Sequence, residues 1–278
     1  MDAAIANDMY VIIDWHSHHA EDFQGDAVSF FTEMAQTYGH QPHVIYEIYN
    51  EPITRDWSNT IKPYAEQVIA AIRAIDPDNL IIVGTPFFSQ DVDVASQDPI
   101  TGYSNIAYTL HFYAGTHGDS LREKAETAMN NGLALMVTEW GTVNADGDGG
   151  VDQLSTEMWL GFMDLHNISH LNWSVHDKVE GASVLRPNAS PDGGWPDSDL
   201  TASGLYVRGI VRDWLSCVEE DPFLLGDCNQ DGVVNFSDIP AFIDVLISGV
   251  FLEEADCNLD GLIDFSDIPP FINILSAG

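Results

Sequence analysis

The segment "VIYEIYNEP" at residues 44–52 decides the fold. Its apolar residues alternate, which predicts a β-strand, and the strand runs into Asn50, Glu51 and Pro52. Proline cannot donate a hydrogen bond to a sheet ladder, so we expect Pro52 to help end the strand. The polar pair Asn50 and Glu51 is therefore predicted to lie at the carboxyl end of a strand.

Five other short apolar segments also predict strands, and amphipathic segments with helical spacing separate them. The predicted strands lie at 9–16, 44–52, 79–84, 105–113, 133–141 and 169–175, and the helices at 25–39, 61–76, 119–132 and 151–167. Alternation of strands and helices indicates an α/β protein with a parallel sheet covered by helices. A doubly wound sheet and a β/α barrel both fit this pattern.

The residues at the predicted strand ends favour the barrel. Polar and aromatic side chains suited to chemistry end five strands: His16, Asn50 with Glu51, His111 with Tyr113, Glu139 with Trp140, and Trp173. In a β/α barrel the carboxyl ends of all strands converge on one site. The first strand is also not followed by a Gly-rich phosphate loop, which disfavours a nucleotide-binding fold.

The strand count predicts an incomplete barrel. Six strands are recognisable where a closed (β/α)8 TIM barrel needs eight. We expect the chain to contain strands three to eight and to lack the first two, with an N-terminal truncation that also removed any signal peptide.

The charge of the chain excludes some partners. The 278 residues carry 44 acidic and 9 basic side chains, a net charge of −35. Phosphates repel such a surface, so nucleic acid and anionic membranes are disfavoured. No apolar run reaches the roughly 18 residues of a membrane span. A neutral substrate fits this composition.

Two glutamates at non-adjacent strand ends form the predicted catalytic pair. Hydrolysis of a glycosidic bond needs two carboxyl groups, one to protonate the leaving oxygen and one to attack the sugar or activate water. Glu51 and Glu139 have the required residue type and placement. His18, His19, His40, His43 and His117 are interpreted as loop or surface groups.

Five segments, in order, resemble a family 5 glycoside hydrolase of the bacterial endoglucanase type. They are "VIIDWHSH", "VIYEIYNEP", "LHFYAGTHG", "VTEWGT" and "NWSVHDKVE". The resemblance runs from Asp2 to about Trp214 and implies a retaining endo-β-1,4-glucanase without a catalytic cofactor. It implies that Glu51 is the acid/base and Glu139 the nucleophile. It also implies substrate contacts from His16, Asn50, His111, Tyr113, Trp173, Lys178 and Glu180.

A repeated motif follows the barrel segment. "DCNQDGVVNFSD" at 227–238 recurs 29 residues later as "DCNLDGLIDFSD" at 256–267, and residues 219–278 contain 13 acidic residues but no Lys or Arg. Oxygen side chains at positions 1, 3, 5, 9 and 12 are typical of an EF-hand-type calcium loop. Two calcium ions are therefore predicted, with the ligands Asp227, Asn229, Asp231, Asn235, Asp238, Asp256, Asn258, Asp260, Asp264 and Asp267.

The duplicated loop and helix resemble a small all-α dockerin module. The resemblance implies attachment to a cohesin domain or a cell-surface scaffold, although the helices lack the basic residues common in cellulosomal dockerins. Cys228 and Cys257 occupy position 2 of the loops, as packing residues or as partners of Cys217. We predict a partial barrel at 1–216, a linker at 217–226 and the module at 227–278.

Two functions remain open from the sequence. The first is an endoglucanase acting on cellulose or a related β-glucan outside the cell or at its surface. The second is a non-catalytic, calcium-binding attachment protein that carries an inactive barrel fragment.

Overall fold

A computed structural model describes residues 1–216, 224–231, 233–258 and 260–277. The chain divides into two compact units, Met1–Val207 and Arg208–Gly278. The predicted domain boundaries stay predictions, and residues 217–223 of the predicted linker, with Cys217, lie outside the described residues. In the part of the chain that is described, no helix is long and apolar enough to cross a membrane.

The first unit is built on six parallel strands whose spatial order is their order in the sequence. The strands are β1 (Val11–Asp14), β2 (Val44–Glu47), β3 (Ile81–Val83), β4 (Ile106–Tyr113), β5 (Leu135–Gly141) and β6 (His170–Asn172). A doubly wound sheet reverses its strand order, so the sequential order is that of a β/α barrel. The described sheet is open, with β1 and β6 at its edges.

The described residues 1–216 also form eight helices. They are α1 (Asp2–Ala6), α2 (Gln24–Tyr38), α3 (Lys62–Arg73), α4 (Pro86–Ser89), α5 (Val92–Ser96), α6 (Asp119–Asn130), α7 (Gln153–Leu165) and α8 (Ala202–Ser216). A π-helical turn, Trp57–Ile61, precedes α3, and 3₁₀ turns lie at Ala20–Phe23 and Asp197–Asp199. The four predicted helices are confirmed. The short α4 is irregular, because Phe87 and Phe88 have positive φ.

The strand predicted over residues 44–52 is shorter than expected. The β2 ladder ends at Glu47, five residues before Pro52, so the prediction that Pro52 helps end the strand is wrong. All four residues of β2 are buried, so both faces of this strand are covered and alternation was not the relevant pattern. Beyond the ladder, Asn50 N donates to Trp15 O at 3.3 Å, which holds the segment beside the loop after β1.

The core of the first unit is aromatic and aliphatic. The Phe112 ring stacks on the Trp159 ring with centroids 3.9 Å apart. It also stacks on the Trp140 ring, with centroids 5.9 Å apart. All three side chains are buried. These rings join β4, β5 and α7, and burial of each large apolar side chain stabilises the fold by about 1.5–3 kcal/mol.

Among the described residues from 224 to 277, the second unit has two helices, α9 (Ile239–Ser248) and α10 (Ile268–Ala277), and 3₁₀ turns at Phe236–Asp238 and Glu253–Ala255. The Phe242 and Phe271 rings stack at 3.9 Å with an interplanar angle of 12°. Cys228, Ala255 and Cys257 complete the buried cluster around them. The apolar faces that follow the two repeated loops therefore pack against each other.

Candidate active site

The register of β4 and β5 creates the centre of the site. His111 lies opposite Glu139, and Tyr113 lies opposite Gly141. The Tyr113 hydroxyl donates to Glu139 Oε1 at 2.7 Å, and Glu139 is buried. The two neighbouring strands thus fix one carboxylate and one hydroxyl at the carboxyl edge of the sheet.

Gly141 makes this contact possible because it has no side chain. A Cβ atom at position 141 would lie 2.3 Å from Cδ1 of the Tyr113 ring, closer than any real Cβ contact. Glycine here lets the ring lie across β5. The "EWG" sequence therefore provides both the carboxylate and the space for its hydrogen-bond donor.

Glu51 lies in the segment after β2 and meets two imidazoles. His111 Nδ1 is 2.9 Å from Glu51 Oε1, and His18 Nε2 is 3.1 Å from Glu51 Oε2. Glu51 N also donates to Ser17 O at 3.2 Å. Each carboxylate oxygen thus has an imidazole partner, which fixes the orientation of the group.

The two glutamates come together as the sequence predicts. One ligand-type atom each of Glu51, His111 and Glu139 lie within 4.8 Å of one another. A similar cluster of His19, Glu21 and Asp22 is occupied by the Arg55 guanidinium, which pairs with Glu21 and Asp22. Both clusters are held together by protein groups, and we assign neither as a metal site.

The charges of the site shift the pKa values of its members. Burial raises the pKa of Glu139, and repulsion from Glu51 adds to the shift, while His111 and the Tyr113 hydrogen bond oppose it. Burial lowers the pKa of His111, but its hydrogen bond to Glu51 and the surrounding carboxylates outweigh burial and raise it. Burial and then the Glu139 charge raise the pKa of Tyr113. The site therefore tends to retain protons.

His16 and Trp173 form a stacked pair near the sheet edge. Their ring centroids are 5.4 Å apart with an interplanar angle of 7°. His16 Nδ1 is 2.7 Å from Asp14 Oδ2, and that hydrogen bond raises the pKa of His16. Trp173 is half-buried and follows β6. The pair presents flat aromatic surface of the kind that packs on sugar rings.

Asn50 is held by its backbone and its side chain is buried. Its carbonyl oxygen accepts from Ser89 Oγ at 2.7 Å, so the irregular α4 secures the segment that carries Asn50 and Glu51. Gly84 lets its backbone lie close to that of Tyr49, the residue before Asn50, because a Cβ at position 84 would lie 2.1 Å from Tyr49 O.

Lys178 and Glu180 do not lie at a strand end. They belong to the segment after β6, where Lys178 Nζ pairs with Glu180 Oε2 at 3.2 Å and His176 Nε2 lies 3.0 Å from Glu180 Oε1. Lys178 is exposed. Glu180 contributes to the raised pKa of Tyr113 through its charge, which connects it electrostatically with the site.

Sequence reasoning missed several side chains that contact the predicted site residues or lie beside them. His18, interpreted as a loop or surface group, contacts Glu51. Glu47 and Thr138 were not considered, yet Glu47 is a buried carboxylate on β2 and Thr138 Oγ1 lies 2.5 Å from Glu47 Oε1. A signal existed for Glu47, since a charged residue inside an apolar strand needs a buried partner. His117 is also more than a surface group, because its Nδ1 accepts from Tyr113 N at 2.8 Å.

The two repeated loops of the second unit have matching hydrogen bonds. Asp238 accepts from Asn229 N and Asn235 N at 3.1 and 2.8 Å, and its equivalent Asp267 accepts from Asn258 N and Asp264 N at 3.1 and 2.9 Å. These carboxylates are buried. The sequence repeat is therefore a structural repeat.

The two cysteines of the loops are free and buried. The thiols of Cys228 and Cys257 both face Glu254 O, at 3.8 and 3.7 Å. Burial raises the pKa of Cys228 to about 12 and of Cys257 to about 11. Both lie in the buried cluster around Phe242 and Phe271, and the predicted alternative partner, Cys217, lies outside the described residues.

A parallel β/α sheet with paired glutamates at its carboxyl edge is the arrangement of a barrel-type glycoside hydrolase. Residues 1–179 match the family described as Cellulase (glycosyl hydrolase family 5). The chain belongs to this family.

The similar proteins agree with this assignment. Endoglucanase Z of Dickeya dadantii is 63% identical over 214 residues, covering 77% of this chain and 48% of that protein. An endoglucanase of Clostridium saccharobutylicum is 53% identical over 212 residues, covering 75% of this chain and 47% of that protein. The chain thus spans about half the length of these curated relatives.

Solved structures share the fold. A structure from Cytophaga hutchinsonii is 50% identical with a TM-score of 0.77, covering 78% of this chain and 71% of that one. A Thermobifida fusca endoglucanase catalytic domain in complex with cellotetraose is 35% identical with a TM-score of 0.71, covering 76% and 72%.

Proposed function

We propose that this chain carries the catalytic pair of a retaining endo-β-1,4-glucanase that hydrolyses cellulose or a related β-glucan. The observation that carries the proposal is the meeting of Glu51 and Glu139 around His111, within 4.8 Å, at the carboxyl edge of the sheet. Retaining glycosidases need their two carboxyl groups close together, at about 5–5.5 Å, because one of them attacks the sugar directly. The endoglucanase relatives support the substrate class.

The reaction uses the two glutamates in different roles. The Glu139 carboxylate attacks the anomeric carbon while Glu51 gives a proton to the leaving glycosidic oxygen, which forms a glycosyl ester on Glu139. Glu51 then takes a proton from water, and that water breaks the ester and restores Glu139. The Tyr113 hydroxyl donates to Oε1 of the nucleophile at 2.7 Å and orients it.

The remaining predicted residues position the sugar. Asn50, next to the acid/base, is proposed to hydrogen-bond the 2-hydroxyl of the attacked sugar, and Trp173 to stack on a sugar face, with His16 beside it. Lys178 and Glu180 are proposed to contact sugars further along the cleft. His111 links the acid/base to the interior of the sheet.

Removal of the nucleophile tests the proposal. Glu139→Ala should lower the rate of hydrolysis of a soluble β-glucan by about 10⁴–10⁶-fold, as removal of a nucleophile does in other hydrolases. Azide should restore turnover on an activated aryl cellobioside and give a product of inverted configuration. Glu33→Ala, at an exposed position on α2, is the matched control and should keep full activity.

Two results would contradict the assignment. Near-normal activity of Glu139→Ala without azide would show that another group is the nucleophile. An inactive wild-type chain that still binds calcium would support the alternative function, a non-catalytic attachment protein with an inactive barrel fragment.

We further propose that each repeated loop of the second unit binds one calcium ion. The ligands would be Asp227, Asn229, Asp231, Asn235 and Asp238 in the first loop and Asp256, Asn258, Asp260, Asp264 and Asp267 in the second. The donor set suits a hard cation, since all ten side chains offer oxygen and residues 219–278 contain no Lys or Arg to neutralise them.

The second unit resembles a dockerin, and we propose that it attaches the enzyme to a cohesin domain or a cell-surface scaffold. This role places the protein outside the cell or at its surface. A pull-down of the calcium-loaded chain with an isolated cohesin, with a chelator as the control, tests the partner. Equal recovery with and without chelator would contradict calcium-dependent docking.

A further inference from the structure

A line of hydrogen bonds runs from the interior of the sheet to the acid/base. Thr138 Oγ1 lies 2.5 Å from Glu47 Oε1, His111 Nε2 lies 2.9 Å from Thr138 Oγ1, and His111 Nδ1 lies 2.9 Å from Glu51 Oε1. Glu47 and His111 are 4% and 2% exposed and are shielded from water, whereas Thr138 between them is half-buried. A carboxylate at the inner end and a carboxylate at the outer end are thus joined by a hydroxyl and an imidazole.

We propose that Glu47 is a positioning residue that shares one proton with Glu51 through Thr138 and His111, and so helps to keep the acid/base protonated. The inference rests on the proposed function of Glu51. Each intermediate group in the line can both donate and accept, as a proton relay requires.

The donor count allows three arrangements with the same number of protons. In one of them both glutamates are ionised and a His111 imidazolium donates to Thr138 and Glu51, which the raised pKa of His111 favours. When Glu47 is ionised it only accepts, so Thr138 donates to it and accepts from His111 Nε2–H. The bare Nδ1 of a neutral imidazole then accepts from a protonated Glu51. When Glu47 holds the proton instead, it donates to Thr138, Thr138 donates to Nε2, and Nδ1–H donates to ionised Glu51.

Conversion between the two arrangements with a neutral imidazole balances. The Glu47 proton moves to Thr138 Oγ1, the Thr138 proton moves to His111 Nε2, and the Nδ1 proton moves to Glu51 Oε1. Three O–H or N–H bonds break and three form, without any added reactant. The side chains of Glu47 and Glu51 are 5% and 14% exposed, and a carboxylate oxygen of Glu51 lies within 4.8 Å of one of Glu139, so the two ends of the line have different surroundings.

The titratable groups around the line come from every neighbouring element. On β2 and its extension they are Glu47 and Glu51, and on β5 the group is Glu139. Asp14 on β1 acts on Glu47, and His18 in the following loop contacts Glu51. Burial first, and then Asp14, raise the pKa of Glu47 to about 7. Glu47 can therefore exchange a proton near neutral pH.

Substitution of Thr138 can break the line of hydrogen bonds while keeping the size of the side chain. Thr138→Val removes the hydroxyl, and Thr138→Ser restores it. Thr109→Val is the matched control, because Thr109 Oγ1 also donates to Glu47 Oε1, at 3.0 Å, but Thr109 is not in the line to His111. Both valine variants lose a hydrogen bond to the same carboxylate, and Thr138→Val also loses the one to His111. Thr109→Val therefore controls for loss of the Glu47 contact.

Leaving-group dependence separates proton supply from general damage. Thr138→Val should lower kcat/KM on carboxymethylcellulose about tenfold, the factor that corresponds to one pH unit of lost proton affinity. It should change kcat/KM on a dinitrophenyl cellobioside by less than about twofold, because that leaving group needs little acid assistance. Thr138→Ser should recover the wild-type ratio, and Thr109→Val should keep it.

A second readout does not need turnover. In ¹⁵N-histidine-labelled full-length protein, His111 should show hydrogen on Nε2 at neutral pH, and Thr138→Val should shift the ring towards the Nδ1–H form. Equal losses on both substrates, equal effects of Thr109→Val and Thr138→Val, or an unchanged His111 spectrum would overturn the relay. Inactivity of the wild-type chain on both substrates would instead refute the proposed function and leave the spectrum as the test of the line.

Discussion

The sheet and the repeated loops satisfy their buried carboxylates in opposite ways. Glu47 and Glu139 on the sheet are held by side-chain hydroxyls from other strands, such as Thr109 and Tyr113. Asp238 and Asp267 in the loops accept from backbone N–H groups of their own loops. The sheet sites depend on strand register across long sequence separations, whereas the loop sites are complete within twelve residues.

This difference indicates why the repeated loops, and not the sheet, are expected to need a cation. A carboxylate held by hydroxyls and an imidazole can share or keep a proton, so burial shifts its pKa and suits acid–base chemistry. A loop with five oxygen side chains and no base accumulates negative charge that backbone N–H groups only partly offset. We therefore expect the two units to respond differently to metal, backbone and pH changes.

Chelation should give the largest effect, and only in the second unit. Saturating calcium at about 1,000 times its Kd would stabilise the folded loops by about 4 kcal/mol, which a chelator removes. Hydrogen exchange followed by mass spectrometry should show α9 and α10 losing protection, while β4 and β5 keep theirs and hydrolysis continues. Unchanged protection of α9 and α10 with chelator would contradict calcium binding.

Gly141→Ala should damage the first unit by geometry alone. The new Cβ would lie 2.3 Å from the Tyr113 ring and push the hydroxyl away from Glu139. A displacement of about 1 Å can cost about a hundredfold in rate, so kcat should fall by that order. Gly161→Ala on α7, where nothing lies within 4 Å, is the control and should keep kcat while raising stability by about 0.5–1 kcal/mol. A normal kcat for Gly141→Ala would show that the ring can move without cost.

The raised pKa of Glu47 should give a smaller effect, a change of folding stability with pH. The folded-state pKa of Glu47 is raised from 4.5 to about 7. The contribution of Glu47 to folding stability is therefore fully present below pH 4.5 and is lost as the pH rises through 7. Wild-type stability should fall on the order of 1–3 kcal/mol over this range relative to Glu47→Gln, which cannot ionise. Thermal unfolding of both proteins from pH 4 to 8 measures the difference. Parallel curves would mean that Glu47 titrates normally.

The sequence by itself determined the strand and helix order, the six parallel strands, the pairing of Glu51 with Glu139, and the repeated loops. These follow from local patterns: apolar periodicity marks the elements, and the carboxyl ends of parallel strands meet at one edge. The short distance from Asp227 to Asp238 likewise made the loop visible as a motif.

Only the tertiary structure decided which groups touch the catalytic pair. It set the end of β2 at Glu47. It also brought together residues far apart in the chain, in the contact of His18 with Glu51 and in the line from Glu47 through Thr138 to His111. The register shift between Thr109 and His111 places His111 beside Glu139, and no local pattern encodes such a shift. Packing and hydrogen bonding across strands select it, because a shift of one residue would turn these side chains to the opposite face of the sheet.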